Sequence, residues 1–123
     1  MSGHIIISVV LCALQCQTTD LRIWDGDTFR VGSYRGESVR IMNIDAPEIE
    51  GRCIYEINLA QDSKRRLSAL LDGKRVQIQR QNKDRYGRTL AIISVRGQDI
   101  GDQLVSEGLA RTWSGRREAW CSS

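Results

Sequence analysis

Three short clusters hold the side chains best suited to polar chemistry. They are Asp25-Gly26-Asp27-Thr28, Arg40 with Asp45-Ala46-Pro47-Glu48, and Asp84-Arg85-Tyr86-Gly87-Arg88. The middle one begins as a β-prone run through Ile41 and Ile44. Pro47 then pushes Ala46 toward an extended conformation. The chain leaves a strand near Ile44, turns, and presents Asp45 and Glu48 at the strand end. Carboxylates fixed in that way build oxygen-ligand metal sites and general bases. Taken alone, the stretch reads first as a strand running into an ordinary acidic turn, and the other clusters must decide. Asp25-Gly26 is accounted for as a hairpin turn, whereas Asp27 and Thr28 are less so, because Asp is depleted in strands. In the third cluster Gly87 allows a tight bend beside a cation, and the plain alternative is a basic hairpin loop.

The elements that must carry these clusters follow from pattern. Asp20–Trp24 and Thr28–Ser33 are short strands flanking the Asp-Gly turn, and Glu37–Ile44 is the third strand of a meander. Tyr55–Leu71 has helical spacing through Ala60, Leu67, Leu70 and Leu71, and Gly73 stops it. Arg75–Gln81 alternates as a half-buried strand, Gln81–Arg88 is a polar loop, and Thr89–Val95 is a more apolar strand. Asp99–Glu107 is a short helix ended by Gly108, and Trp113–Ser123 is an irregular tail. Three strands, a helix, two strands and a helix predict an α+β, β-rich chain. The expected architecture is a five-stranded OB-fold barrel, with a helix after strand three and a second short helix near the C-terminus.

Length bounds the answer to one domain with one modest core: the chain has 123 residues, 41% hydrophobic and 27% charged. Net charge is only +3, but it is unevenly placed. Residues 20–62 carry nine acids and five bases; residues 64–96 carry ten bases and two acids. An acidic segment fit for a cation precedes a basic one fit for a polyanion, a division of labour that suits an enzyme acting on phosphates. Lys64–Arg66 and Lys74–Arg75 are read as solvated faces. His4 is the single histidine and no C-x-x-C pattern occurs, which excludes a zinc site and a histidine-based triad.

Residues 1–16 form an apolar N-terminal segment. Ile5–Leu14 has the length of a signal-peptide core and is too short to span a bilayer as a helix. No Lys or Arg precedes it, and no clean cleavage site follows. A signal peptide, with residues 17–123 as the folded domain, is the expectation, and a buried strand is the alternative. Removal after Cys16 would leave Cys53 and Cys121 as an even pair. Export would then favour a disulfide tying the tail to the loop after Glu48, in a secreted or periplasmic protein.

In register, D-G-D-T at 25–28, R-x-x-x-x-D-x-P-E at 40–48, D-x-Y-G-R at 84–88 and G-L-A at 108–110 resemble the thermonuclease (staphylococcal nuclease-like) family. The resemblance covers about Asp20 to Arg111. It implies a Ca²⁺-dependent phosphodiesterase on an OB-fold, cutting DNA and RNA with little sequence preference and leaving 3′-phosphate ends. Asp27 and Asp45 match the family's metal-ligating carboxylates. Ala46 matches a position, often Thr, that binds the metal through its carbonyl. Glu48 matches the proposed general base, and Arg40 and Arg88 match the phosphate-clamping arginines. Asp84, Arg85 and Tyr86 fall on the nucleotide site, with Lys the usual residue at Arg85. Longer members continue into a third helix that this chain lacks. The two tyrosines that follow G-L-A there are unmatched, with Trp113 the nearest aromatic. Trp113 and Trp120 are read equally as site or core-covering residues. The expectation is a monomer with no required protein partner and no stable membrane association. A non-catalytic OB-fold module binding single-stranded nucleic acid or a protein partner is the alternative function.

These roles also suit the chemistry. A phosphodiester gains negative charge as water attacks it, so catalysis needs a cation, a base and fixed donors for the phosphoryl oxygens. Guanidiniums supply planar bidentate donors. Carboxylates, carbonyls and waters suit Ca²⁺.

Overall fold

A computed structural model describes residues 3–122. Met1 and Ser2, at the head of the apolar segment 1–16, and Ser123, at the end of the tail, lie outside the described residues. Nine strands and two helices follow one another among the described residues: β1 (Ile5–Cys12), β2 (Cys16–Ile23), β3 (Thr28–Val31), β4 (Ser38–Ile41), β5 (Ile44–Asp45), α1 (Ile54–Leu71), β6 (Val76–Lys83), β7 (Thr89–Val95), β8 (Gln98–Asp99), α2 (Ile100–Ser106) and β9 (Arg111–Thr112). The main sheet runs β1-β2-β3-β4-β7-β6, with β8 beside β7; β5 and β9 pair separately. All pairs are antiparallel except β4–β7. The sheet curls until β1 meets the start of β6. There Val10 donates its N–H to Lys74 O (2.9 Å) and Gly73 donates to Ser8 O (2.7 Å). This is the expected β-rich α+β, OB-like fold.

Alternation places the core. In β4 and β7 every second residue is buried, giving Val39, Ile41, Ala91 and Ile93 one inward face. Phe29, Leu21 and Ile23 join them, and Leu67, Leu71 and Leu104 close the other side from the helices. Each such side chain contributes about 1.5–3 kcal/mol by leaving water. The buried positions of α1 (Glu56, Ala60, Ser63, Lys64, Leu67, Ser68 and Leu71) recur every three or four residues, so one helical stripe faces inward. Asp99 caps α2 by accepting from the Asp102 N–H at 2.9 Å.

Four expectations are corrected. The third strand does not run unbroken to Ile44: Met42-Asn43 interrupts it, with Asn43 at φ +72°, a left-handed position that Asn tolerates. The polar loop after β6 is shorter than Gln81–Arg88, because β6 keeps its ladder to Lys83 and only Asp84–Arg88 remain outside it. Lys64 is not solvated. It is 3% exposed, donates to Gly3 O and lies over the Trp24 ring at 5.7 Å. Asp25-Gly26 is more than a turn, since Asp25 is buried and Gly26 abuts α1. A Cβ on Gly26 would fall 1.9 Å from Ser63 Oγ, so close approach demands glycine there. Ile5–Cys12 pairs along its whole length with β2 and buries Ile7 and Val9.

Candidate nucleic-acid cleavage site

Strand register brings the three clusters together. Arg40 lies opposite Thr28 on one side and Leu90 on the other, so neighbouring β3, β4 and β7 place Asp27, Arg40 and Arg88 at one edge. Ile41 N–H donates to Asp27 O (2.8 Å), tying the first cluster to the second. β5 then carries Asp45 into a pair with Arg111 of β9. Asp27, Arg40, Asp45, Glu48, Asp84, Arg85, Tyr86, Arg88 and Trp113 all line one cleft of about 770 Å³, a size suited to a small ligand. Ala46 is buried behind it, with its N–H donated to Asp27 Oδ2 at 2.9 Å.

The acidic side of the cleft is tightly knit. Asp27 Oδ1 accepts from the Thr28 hydroxyl (2.9 Å), and Asp27 Oδ2 faces Arg40 Nη2 at 3.5 Å. The same Nη2 is 4.0 Å from Asp45 Oδ1, so two carboxylates converge on one guanidinium nitrogen. Arg40 Nη1 donates to the Ile41 and Ile44 carbonyls (2.9 and 3.0 Å) and so clamps the turn between β4 and β5. Asp25 accepts from the Asp27 N–H at 3.0 Å. Burial, followed by the neighbouring Asp27 charge, pushes the Asp25 carboxyl up to about 9. Burial also raises Asp45 and Glu48, and in both the Arg117 guanidinium is the largest opposing influence.

Glu48 sits on a loop held from below by Glu56. The Glu56 carboxylate accepts from the Glu48 N–H (3.0 Å) and the Arg52 N–H (3.1 Å). Burial pushes Glu56 up, but those two donors outweigh it and leave Glu56 below the usual range. Gly51 makes room for this contact: a Cβ there would lie 2.6 Å from Glu56 Cγ. The loop is thus pinned while the Glu48 side chain remains 50% exposed.

The basic side is a hairpin organised by one carboxylate. Asp84 accepts from the N–H groups of Tyr86 and Arg88 (both 2.9 Å) and from Arg88 Nε (2.8 Å). Burial is the largest single influence and raises Asp84, but the donors from Arg88 and Tyr86 together outweigh burial and lower the carboxyl. Asp84 therefore positions Arg88, and Gly87 completes the bend at φ +81°. Tyr86 stands exposed with the Arg85 and Arg88 guanidiniums 5.0 and 5.5 Å from its ring centroid. Across the cleft, half-exposed Trp113 is fixed by its N–H to Asn43 O (2.8 Å), 5.9 Å from the Arg40 guanidinium. The two tail tryptophans therefore separate: Trp113 lines the cleft, and Trp120 is buried.

Sequence reasoning missed Arg117. Its Nη1 lies 2.8 Å from Glu48 Oε1 and 3.2 Å from Asp45 Oδ1, and its Nη2 lies 3.6 Å from Glu56 Oε2. The available signal was a basic pair, Arg116-Arg117, four residues before the cysteine expected to bond Cys53. That bond, Cys53–Cys121, is present, as is Cys12–Cys16. Asp25 and Glu56 were also missed as members of the acidic group.

The donors around Asp27 and Asp45 are all oxygen, which fits a hard divalent cation and excludes a thiolate or imidazole centre. No group of three acidic, histidine or cysteine side chains among the described residues is assembled as a ready cation cage. Asp27 and Asp45 are ion-paired to arginine instead.

Residues 38–120 match the family model described as staphylococcal nuclease homologue. An uncharacterized endonuclease of Haemophilus influenzae is 36% identical over 89% of this chain. The thermonuclease of Staphylococcus hyicus is 32% identical over 74% of it, and the micrococcal nuclease of Shigella flexneri is 35% identical over 73%. The aligned parts span 61%, 56% and 54% of those three relatives. The family-model match over residues 38–120 covers more than half of the chain, and with it the chain belongs to the staphylococcal nuclease homologue family.

Proposed function

We propose that this domain is a Ca²⁺-dependent endonuclease that hydrolyses DNA and RNA with low sequence specificity and leaves 3′-phosphate ends. One observation carries the proposal: Asp27, Asp45 and Glu48 line a single cleft together with Arg40 and Arg88. The nuclease names of the relatives add weight. Asp27, Asp45 and the Ala46 carbonyl would hold the cation, which supplies Lewis-acid polarisation of a phosphoryl oxygen when bound. Glu48, exposed and held on a pinned loop, orients the attacking water and takes its proton. Arg40 and Arg88 donate to the phosphoryl oxygens as their charge grows. Tyr86 and Trp113 offer aromatic faces to the flanking nucleotide, and such stacking is tolerant of sequence. A neighbouring basic hollow with Arg30, Arg35 and Lys83 extends the track for a phosphate backbone beyond Arg88.

The test is cleavage of single-stranded DNA by the full chain, with Ca²⁺ and with a chelator. Chelator-sensitive cutting is expected. Salt-sensitive binding without cutting would replace the enzyme with a binding module. We place the protein outside the cytosol, secreted or periplasmic, since two cystine bridges suit an oxidising compartment. N-terminal sequencing of the mature protein decides between a removed leader and a retained β1.

A further inference from the structure

The proposed chemistry gives no task to Arg117, although it is the cation in closest contact with Glu48. Its position is built rather than incidental. On one side the tail is anchored where Trp113 N–H meets Asn43 O. On the other, Trp120 is buried, with the Arg111 guanidinium 3.7 Å from its ring centroid and Arg111 Nη1 donating to Ala119 O at 2.9 Å. The Cys53–Cys121 bond then fastens the end of the tail to the residue that opens α1. Between these anchors the chain is irregular and exposed, and it delivers one guanidinium to three acids from separate parts of the fold: Asp45 of β5, Glu48 of the following loop and Glu56 of α1.

We propose that Arg117 is a positioning residue that competes with the divalent cation for Asp45 and Glu48. It holds these carboxylates together in the cation-free protein and so sets how tightly the cation binds. This rests on the reading of Asp45 as a cation donor. Asp45 Oδ1 already accepts from Arg117, and a divalent ion on the same oxygen would face a positive charge within a few ångströms. The tether keeps that competitor at a high local concentration. Its side chain is 46% exposed, so the guanidinium can swing outward while Trp120 and the disulfide stay in place.

The experiment is calorimetric titration of Ca²⁺ into the oxidised full chain, with no nucleic acid present. Wild type is compared with Arg117→Gln and with Arg116→Gln, an exposed neighbour of equal charge. Competition predicts that Arg117→Gln binds Ca²⁺ about tenfold more tightly, while Arg116→Gln stays near wild type. A purely structural strap predicts unchanged or weaker binding in Arg117→Gln, and that result overturns the competition while leaving calcium dependence intact. Equal tightening in both variants assigns the effect to net charge and also overturns it. If neither wild type nor Arg117→Gln binds Ca²⁺, the calcium reading falls and the competition falls with it.

Discussion

The strand edge and the C-terminal tail each deliver an arginine to Asp45, but by different physics. Arg40 belongs to β4, flanked in register by β3 and β7, and its guanidinium is tied to two backbone carbonyls. Its place follows from the ladder. Arg117 sits on an irregular segment that a disulfide and one buried indole hold down. Its place follows from contacts distant in sequence. The strand edge is therefore held by a continuous ladder, and the tail by a few separate anchors.

The largest effects should fall on the strand edge and its loops. Arg88→Ala and Glu48→Gln are each expected to lower single-stranded DNA turnover by roughly 10²-fold or more, with the melting temperature little changed. A variant cutting at the wild-type rate would remove that residue from the mechanism.

Freeing the tail tests the other half of the contrast. Replacing Cys53 and Cys121 together with Ser should cost about 2–4 kcal/mol in urea unfolding. An unchanged midpoint would mean that Trp120 and Arg111 hold the tail without the bond.

The smallest effect isolates an ion pair on the strand side. Glu37 receives Arg80 Nε and Nη2 (2.8 and 2.7 Å) and the Thr89 hydroxyl (2.9 Å). The Arg80 hydrogen bonds are the largest influence and, with the Thr89 hydroxyl, hold its carboxyl below the usual range against the opposing effect of burial. A lowered native pKa gives stability that is present above the unfolded value and lost as pH falls through the native one. Glu37→Gln should therefore flatten the acid limb of the stability profile below about pH 4.5. Solvent screening keeps the effect under about 1 kcal/mol. Identical acid limbs would show that the pair contributes nothing.

What was legible in the sequence was whatever is encoded locally. An apolar, β-prone run marked Thr89–Val95 at its observed bounds, and helical spacing marked α1 to within one residue of its start. Pattern failed where a short-range signal had a long-range cause. Asn43 broke a run that looked continuous. Gly26 read as a turn residue, yet it is needed because Ser63 approaches it from α1. Lys64 read as solvent-facing from its charge, yet it is buried against Trp24 and the N-terminal backbone.

The site divides along the same line. The sequence by itself supplied the residue types: hard oxygen donors, two guanidiniums, an exposed carboxylate, aromatic faces, and two cysteines able to tie the tail. The clusters at 25–28, 40–48 and 84–88 supplied most of these side chains, and their roles were what the resemblance to the thermonuclease family implied. Tertiary structure alone decided that Asp25 shares its burial with Asp27, that Glu56 pins the Glu48 loop, that Asp84 orients Arg88, and that Arg117 reaches Asp45 across a separation of 72 residues. Such contacts depend on how the curled sheet, α1 and the bonded tail meet in space. A local pattern of side chains carries no information about that meeting.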